Sequence, residues 1–407
     1  MFRILVLLLF IGCTPGEQPD PIAMESESSG ESALTNEDKV YPKIESSLDN
    51  VSFQKVFAVG DSDEVFLSAV GEIFIDADEK IFIADKSEIK VFDKNGAFVQ
   101  VLGRKGRGPG EFNNFGNLNL RASTNRLYVF DEGLSRINVF DLKSLEYLNV
   151  VPVNPNNWKS LSDNKRYSFT DFLVTPDDSL IIGLSMYNEK KGVSQSDSTS
   201  YYFMNTSGEI SLSSLLNVPD NGFYKGSGVP KPVSPITPLL DASTRSTIVD
   251  IDSKGNLYIA NTQNIQINIK SILDEVERSV TYAFERAELR KEDIIKSYKN
   301  NPALYRKAKE DSYPDTWPAF DFFFVDDEER IWISTIINDE ENYEWWILSS
   351  DGALLGTFKW PGQRLQRHRI PRQIKEVRRG YLYTIEENPG TSAKEVVKYR
   401  IVVESQN

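Results

Sequence analysis

The chain has 407 residues, 40% hydrophobic and 11% aromatic, and carries a formal net charge of −14 from 46 basic and 60 acidic side chains. Such acidity opposes the attraction that draws proteins onto phosphate backbones, so nucleic acid is set aside as a partner. One cysteine and one histidine exclude an internal disulfide framework and a multi-histidine zinc site, leaving a chain that folds in water by burial and strand pairing.

Residues 1–12 hold one positive charge, Arg3, and an unbroken apolar run from Ile4 to Ile11. A bilayer needs about 20 such residues, so the run reads as the core of a signal peptide. Phe10-Ile11-Gly12-Cys13 resembles the lipobox of bacterial lipoproteins, with Phe in place of the usual Leu three residues before the cysteine. The resemblance implies cleavage before Cys13, lipidation of its thiol, export from the cytoplasm and a lipid anchor in the cell envelope. Thr14 is not an aspartate retention signal, which tilts the expectation towards the outer membrane. From residue 13 to 49 the chain is rich in Ser, Glu, Pro, Asp and Gly and nearly free of aromatics, a composition that cannot bury enough apolar area to order itself. It is predicted to be a disordered tether reaching roughly 30–36 Å.

Over residues 50–404 short β-rich runs recur between turn residues. The clearest copy runs from Gly71 to Gly103: Glu72-Ile73-Phe74-Ile75, Ile81-Phe82-Ile83-Ala84-Asp85, Ile89-Lys90-Val91-Phe92, a turn with Gly96 placed for positive φ, then Phe98-Val99-Gln100-Val101-Leu102. Four antiparallel strands make one propeller blade. Further copies include Leu127-Tyr128-Val129-Phe130-Asp131, Leu180-Ile181-Ile182, Leu257-Tyr258-Ile259-Ala260-Asn261, Ile331-Trp332-Ile333-Ser334-Thr335 and Tyr381-Leu382-Tyr383-Thr384-Ile385-Glu386. The sixth copy lacks a fourth strand, while Val51–Val59 precedes the first blade with none of its own. The predicted fold is therefore all-β, a six-bladed β-propeller closed by that N-terminal strand. Between blades four and five, residues 286–314 break the β pattern. Asn301-Pro302 supplies a cap and first-turn proline, so a short helical insertion is predicted, packed by Leu289, Ile295, Tyr298 and Tyr305.

The Ile-Phe-Ile-Ala-Asp and Leu-Tyr-Val-Phe-Asp runs, together with Gly103-Arg104-Lys105-Gly106-Arg107-Gly108-Pro109-Gly110-Glu111-Phe112, resemble the NHL repeat. The whole chain resembles six-bladed propeller lipoproteins of Bacteroidetes-type bacteria. That resemblance implies a fold more than a function, because such propellers serve both as enzymes and as binding scaffolds.

Candidate ligand-binding residues gather on the long inter-blade loops: Arg104, Arg107, Trp158, Arg166, Tyr167, Tyr224, Arg245, Trp317, Arg367 and Arg369. Arginine forks and aromatic faces there suit a protein, peptide or glycan ligand. The glycines of 103–110 have the wrong spacing for a phosphate loop and read as a turn. Asp85, Asp131, Leu184, Asn261, Thr335 and Glu386 align at the ends of the second strands; a ring of their oxygens could bind calcium, but Asx-type loop closure is the plainer reading. Near the axis the same alignment places Gly71, Asn117, Thr170, Thr247, Asp321 and Gln373, with Asp321 and Asn117 the candidate metal ligands. The leading expectation is a monomeric, non-catalytic binding or scaffolding propeller without a cofactor. The alternative is a calcium-dependent hydrolase or lactonase of the six-bladed type.

Overall fold

The computed structural model describes residues 38–44, 48, 50–113, 119–123, 125–154, 156, 158, 161, 166–187, 198–219, 247–273, 276–310, 313–362 and 372–404. The expected signal segment, Cys13 and most of the expected tether lie outside the described residues.

Strands β1 (Lys39–Tyr41) and β2 (Val51–Val59) precede the first blade, which is β3 (Val70–Ile75), β4 (Ile81–Asp85), β5 (Glu88–Phe92) and β6 (Phe98–Leu102). The second blade is β7 (Asn119–Ala122), β8 (Arg126–Asp131), β9 (Arg136–Asp141) and β10 (Tyr147–Pro152); the third is β11 (Arg166–Val174), β12 (Leu180–Tyr187), β13 (Ser198–Met204) and β14 (Leu216–Pro219). The fourth is β15 (Thr247–Ile251), β16 (Asn256–Asn261), β17 (Ile265–Ser271) and β18 (Glu277–Tyr282). After helices α1 (Lys291–Ser297) and α2 (Pro302–Glu310) come β19 (Phe320–Val325), β20 (Ile331–Thr335), β21 (Asn342–Leu348) and β22 (Leu354–Pro361). The sixth blade is β23 (Arg372–Arg378), β24 (Tyr381–Glu387) and β25 (Lys394–Val403), with β2 as its outer strand. Pairing of β2 with β25 runs antiparallel from Val51 opposite Val403 to Val59 opposite Val396, the closure expected from the unmatched N-terminal run.

Each blade lies between two others, so its second strand is buried on both faces and reads as a continuous apolar run, as in the fully buried Ile81–Asp85. Turn chemistry repeats with the blades. Asp76, Asp252 and Asp326 each use Oδ1 to accept backbone N–H groups two and four residues ahead, at 2.8–2.9 Å. The turn then passes through positive φ at Glu79, Gly255 and Glu329. Gly96 has φ +86, as the third-to-fourth-strand turn demands.

Six buried apolar clusters stand one at each blade interface. Phe82 and Val91 meet Leu127 and Phe140 between blades one and two, and Phe130 and Ile137 meet Phe172 and Ile182 between two and three. Leu173 and Ile181 meet Leu257, Tyr258 and Ile267 meet Phe323 and Trp346, and Trp332 and Phe358 meet Leu382 and Val397. Ile385 and Val396 meet Ile75 and Ile83, which returns the ring to its start.

The insertion forms two helices, the second starting at Pro302 as the Asn301-Pro302 pair predicts, while the first starts after Arg290 with no side-chain cap. Ala287, Leu289, Ile294 and Ala308 are buried in the cluster between blades five and six, with Ile295 and Tyr298 packed against it. The other departure lies upstream. The tether was expected to extend to residue 49, yet β1 pairs parallel to β18 as a fifth strand of blade four. An outer strand leaves a row of open backbone groups, and the segment takes them whatever its composition. Side chains fix it: Tyr41 stacks on Tyr282 with ring centroids 4.7 Å apart, Lys39 pairs with Asp351 at 2.7 Å, and Asp38 Oδ1 accepts the Ser279 N–H at 2.9 Å.

Candidate functional site

Four of the innermost strands carry a register irregularity where they approach the axis: between Val70 and Ile73, Phe169 and Asp171, Phe320 and Phe323, and Ile374 and Glu376. At such a bulge two residues oppose one, strict alternation stops and a side chain is re-aimed. In blade five the Ser334 hydroxyl satisfies the opened ladder, accepting from the Phe322 N–H at 2.9 Å and donating to the Phe322 carbonyl at 3.0 Å.

These strands enclose a cavity of about 480 Å³, to which all six innermost strands contribute. Its charged wall brings together Glu72, Arg121, Asp171, Asp250 and Glu376 from five different blades. The lining continues into Ala77, Ser123, Pro176, Ser253 and Asp327 of the first-to-second-strand turns. By chain direction this end is opposite the long inter-blade loops.

Arg121 Nη2 lies 3.3 Å from Asp171 Oδ1, and its Nη1 donates to the Leu120 carbonyl at 2.9 Å. Burial works against the Arg121 charge, but Asp171, Glu72, Asp250 and Glu376 outweigh it and hold its pKa above the ordinary guanidinium value. Asp250 is a strut between blades: Oδ2 accepts the Val325 N–H of β19 at 2.8 Å, and Oδ1 accepts the Ile251 N–H at 2.9 Å. Burial nevertheless raises its pKa. Burial also raises that of Asp171, against the pull of Arg121 and a hydrogen bond from the Phe172 N–H. Glu376 is pushed up to about 8, first by burial and then by Asp250, Asp327 and Glu72, with Arg378 opposing. It therefore retains its proton at neutral pH. Among the described residues no group of three or more His, Cys, Asp or Glu side chains is disposed to hold a metal ion.

Of the residues expected at the axis, Gly71, Thr170, Thr247, Asp321 and Gln373 do not line this cavity, and Asn117 lies outside the described residues. The expectation took positions aligned between the blade repeats, which fall at or near the start of most innermost strands and mid-strand at Thr170. The cavity instead lies towards the strand ends, at and beyond the bulges. Among the second-strand ends, Asn261 closes its own loop, accepting the Gln263 N–H at 3.0 Å. Asp85 instead accepts the Ala69 N–H at 2.7 Å and pairs with buried Lys90 at 2.5 Å. Burial would raise its carboxyl, but Lys90 and the Ala69 and Ser68 N–H groups hold it below the ordinary value. Asp131 Oδ2 accepts the Asn113 N–H at 2.9 Å, and Thr335 donates to the Glu344 carbonyl at 2.7 Å. Each tie serves its own blade or entering loop.

On the inter-blade loops, Tyr224, Arg245, Arg367 and Arg369 lie outside the described residues, as does the side chain of Arg166. Trp158 and Trp317 are buried in interface clusters, so neither offers a stacking face to a ligand at the surface; Tyr167 is half-buried against the cluster that holds Trp158. The glycine segment is a closed turn. Glu111 supplies its own anion, accepting from the Gly108 N–H and from Arg104 Nε at 2.8 Å each, while Arg136 Nη2 donates to the Gly108 and Glu111 carbonyls at 2.7 Å. Those same two donors hold the Glu111 carboxyl below its ordinary value. A Cβ on Gly103, at φ +69, would fall 2.3 Å from the Phe112 ring, so the close approach requires glycine. Arg107 remains exposed at the tip.

A "Putative exported protein" from Bacteroides fragilis is similar in structure, with TM-score 0.53, 14% identity, and coverage of 90% of this chain and 99% of that one. A member of the DUF4221 family from Bacteroides vulgatus aligns at TM-score 0.48 and 13% identity over 88% of this chain and 99% of its own. A gluconolactonase from Xanthomonas campestris aligns at TM-score 0.40 and 13% identity over 87% and 91%. No curated protein matches the chain. Residues 24–226 match the family model DUF5128, described as a 6-bladed beta-propeller, and with the six blade sheets and the closing β2–β25 pairing the chain is a six-bladed β-propeller.

Proposed function

We propose that this protein is a non-catalytic binding propeller, exported and held to the cell envelope by lipid on Cys13, and that its ligand site is the axial cavity. The cavity is the observation that carries the reading: about 480 Å³, within the range of small-ligand sites, with charged groups from five blades set in its wall. Rigid strands position them, and Asp171 and Asp250 are held by backbone N–H groups as well. Exposed Arg104 and Arg107 leave a second surface on the inter-blade face for a protein, peptide or glycan.

Calcium-dependent hydrolysis is the competing reading, because four carboxylates at one axis are the ingredients of an oxygen-ligand site. Arg121 stands among them and supplies the positive charge that an ion would bring, which favours binding over metal-assisted chemistry. Two measurements test the proposal. Metal analysis and assays on simple lactones and esters should give neither stoichiometric calcium nor turnover; one calcium per chain, lost with Glu72→Gln together with turnover, would overturn it. Cys13→Ser should move the protein from the membrane fraction to the soluble fraction.

A further inference from the structure

Phe322 is a large apolar side chain that keeps 44% of its surface accessible, yet it lines the axial cavity. Phe324 lies beside it, with ring centroids 6.3 Å apart. The wall around them is strongly acidic: seven lining residues are Asp or Glu, against Arg121, Lys375 and Arg378. Glu72 and Glu376 make no hydrogen bond or close ion pair among the described residues, and only the longer-range positive fields of Arg121 and Arg378 act on them, unlike Asp171 and Asp250. A cavity that combines an open aromatic face with carboxyl groups free of close partners, and lacks a metal-grade ligand group among the described residues, selects for one kind of ligand.

Resting on the binding reading above, we infer that the axial cavity binds a small organic ammonium ion whose apolar body packs on Phe322 and whose charge is met by Glu72 and Glu376. An inorganic cation would leave the aromatic surface uncovered. An anion would have to displace Asp171 from Arg121 and face the remaining carboxylates. A neutral apolar ligand would cover the ring but leave the acidic wall uncompensated.

Binding is also coupled to a proton. Glu376 feels Arg378 on its own strand, and Glu72, Arg121, Asp250 and Asp327 from other blades, while Lys375 also lines the cavity. With its carboxyl protonated at neutral pH, arrival of a cation favours the ionised form, so the proton leaves as the ligand enters. Affinity should therefore rise with pH until Glu376 ionises unaided, near pH 8.

The test is calorimetric titration of the full chain in detergent with a matched series: 2-phenylethylammonium, 2-phenylethanol and phenylacetate. Each is run at pH 7 in two buffers of different ionisation enthalpy. The ammonium should bind at least about tenfold more tightly than either analogue, with net proton release. Phe322→Ala should weaken it about fivefold with at most a small drop in melting temperature, since much of that ring is exposed. Glu376→Gln should weaken it and abolish the proton release. Phenylacetate or phenylethanol binding as tightly as the ammonium at a site sensitive to Phe322→Ala would overturn the ligand class while leaving the binding reading intact. Ammonium affinity indifferent to both substitutions would overturn the site. Calcium-dependent turnover in the preceding assays would remove the binding reading itself.

Discussion

Asp326 serves four donors at once: Oδ1 accepts the backbone N–H groups of Glu328 and Arg330, while Oδ2 accepts from Arg330 Nε at 2.7 Å and from the buried Trp332 Nε1 at 2.8 Å. Removing the carboxylate opens the turn and leaves an indole N–H unpaired inside the interface between blades five and six. Asp326→Ala should cost roughly 2–4 kcal/mol in urea unfolding, and Asp326→Asn, which keeps an oxygen for the turn, less. Glu376 gives a prediction of different form. Its folded pKa of about 8 lies above the ordinary glutamate value of 4.5, so the native state binds the extra proton between those limits. Its stabilising contribution is complete below about pH 4.5 and is lost as pH climbs to 8, at up to about 1.4 kcal/mol per pH unit. Asp171 and Asp250, also raised, act in the same sense. Glu376→Gln should therefore flatten the fall in unfolding free energy between pH 5.5 and 8; an unchanged slope would show that the fall does not come from Glu376. That carboxylates would be present was legible in the sequence, but not which ones meet. A bulge leaves no reliable mark on a run such as Arg372–Arg378, and it decides which residues reach the axis.

At the scale of elements, two N-terminal strands do different work. β2 supplies the outer edge of blade six over the full run from Val51 to Val59, and Phe53 packs edge-on against Phe358 and Trp360 of blade five. β1 adds a short strand to a blade already four strands wide, with an exposed ion pair to Asp351 and one stacked tyrosine. Deleting residues 1–44 should lower the melting temperature by only a few degrees, on the order of 1 kcal/mol. Deleting residues 1–60 should abolish cooperative unfolding, because β25 and the cluster behind it are left open. Circular dichroism melts of the two truncations make the comparison. The closing strand was legible because a β-rich run lacked a blade and a blade lacked a strand. β1 was not, because its place depends on a distant edge having open backbone groups, which no local pattern records.

The propeller is a ring of six interfaces, each shared by two blades, so loss of one opens the circle and not merely one sheet. Phe172 is fully buried between blades two and three, against Phe130 at a centroid distance of 6.4 Å. Phe172→Ala should cost roughly 3–5 kcal/mol, and the unfolding transition, followed by fluorescence and by far-ultraviolet dichroism, should remain single and coincident. Separate transitions for the two probes would show that the blades unfold independently.

Repeated strand patterns, turn residues and a mismatch between the chain's two ends determined the blade number, the closure and the helical insertion, because these follow from local periodicity and from the need to pair every edge. The resemblance of residues 10–13 to a lipobox is likewise a property of sequence alone. What only the tertiary structure decided was the axial site: Glu72, Arg121, Asp171, Asp250 and Glu376 are far apart in the chain and line one cavity because six blades converge, with bulges in the innermost strands that carry Glu72, Asp171 and Glu376. Burial then changes what those groups are, since a carboxyl among other carboxyls at the axis of a closed ring keeps a proton that it would release in water.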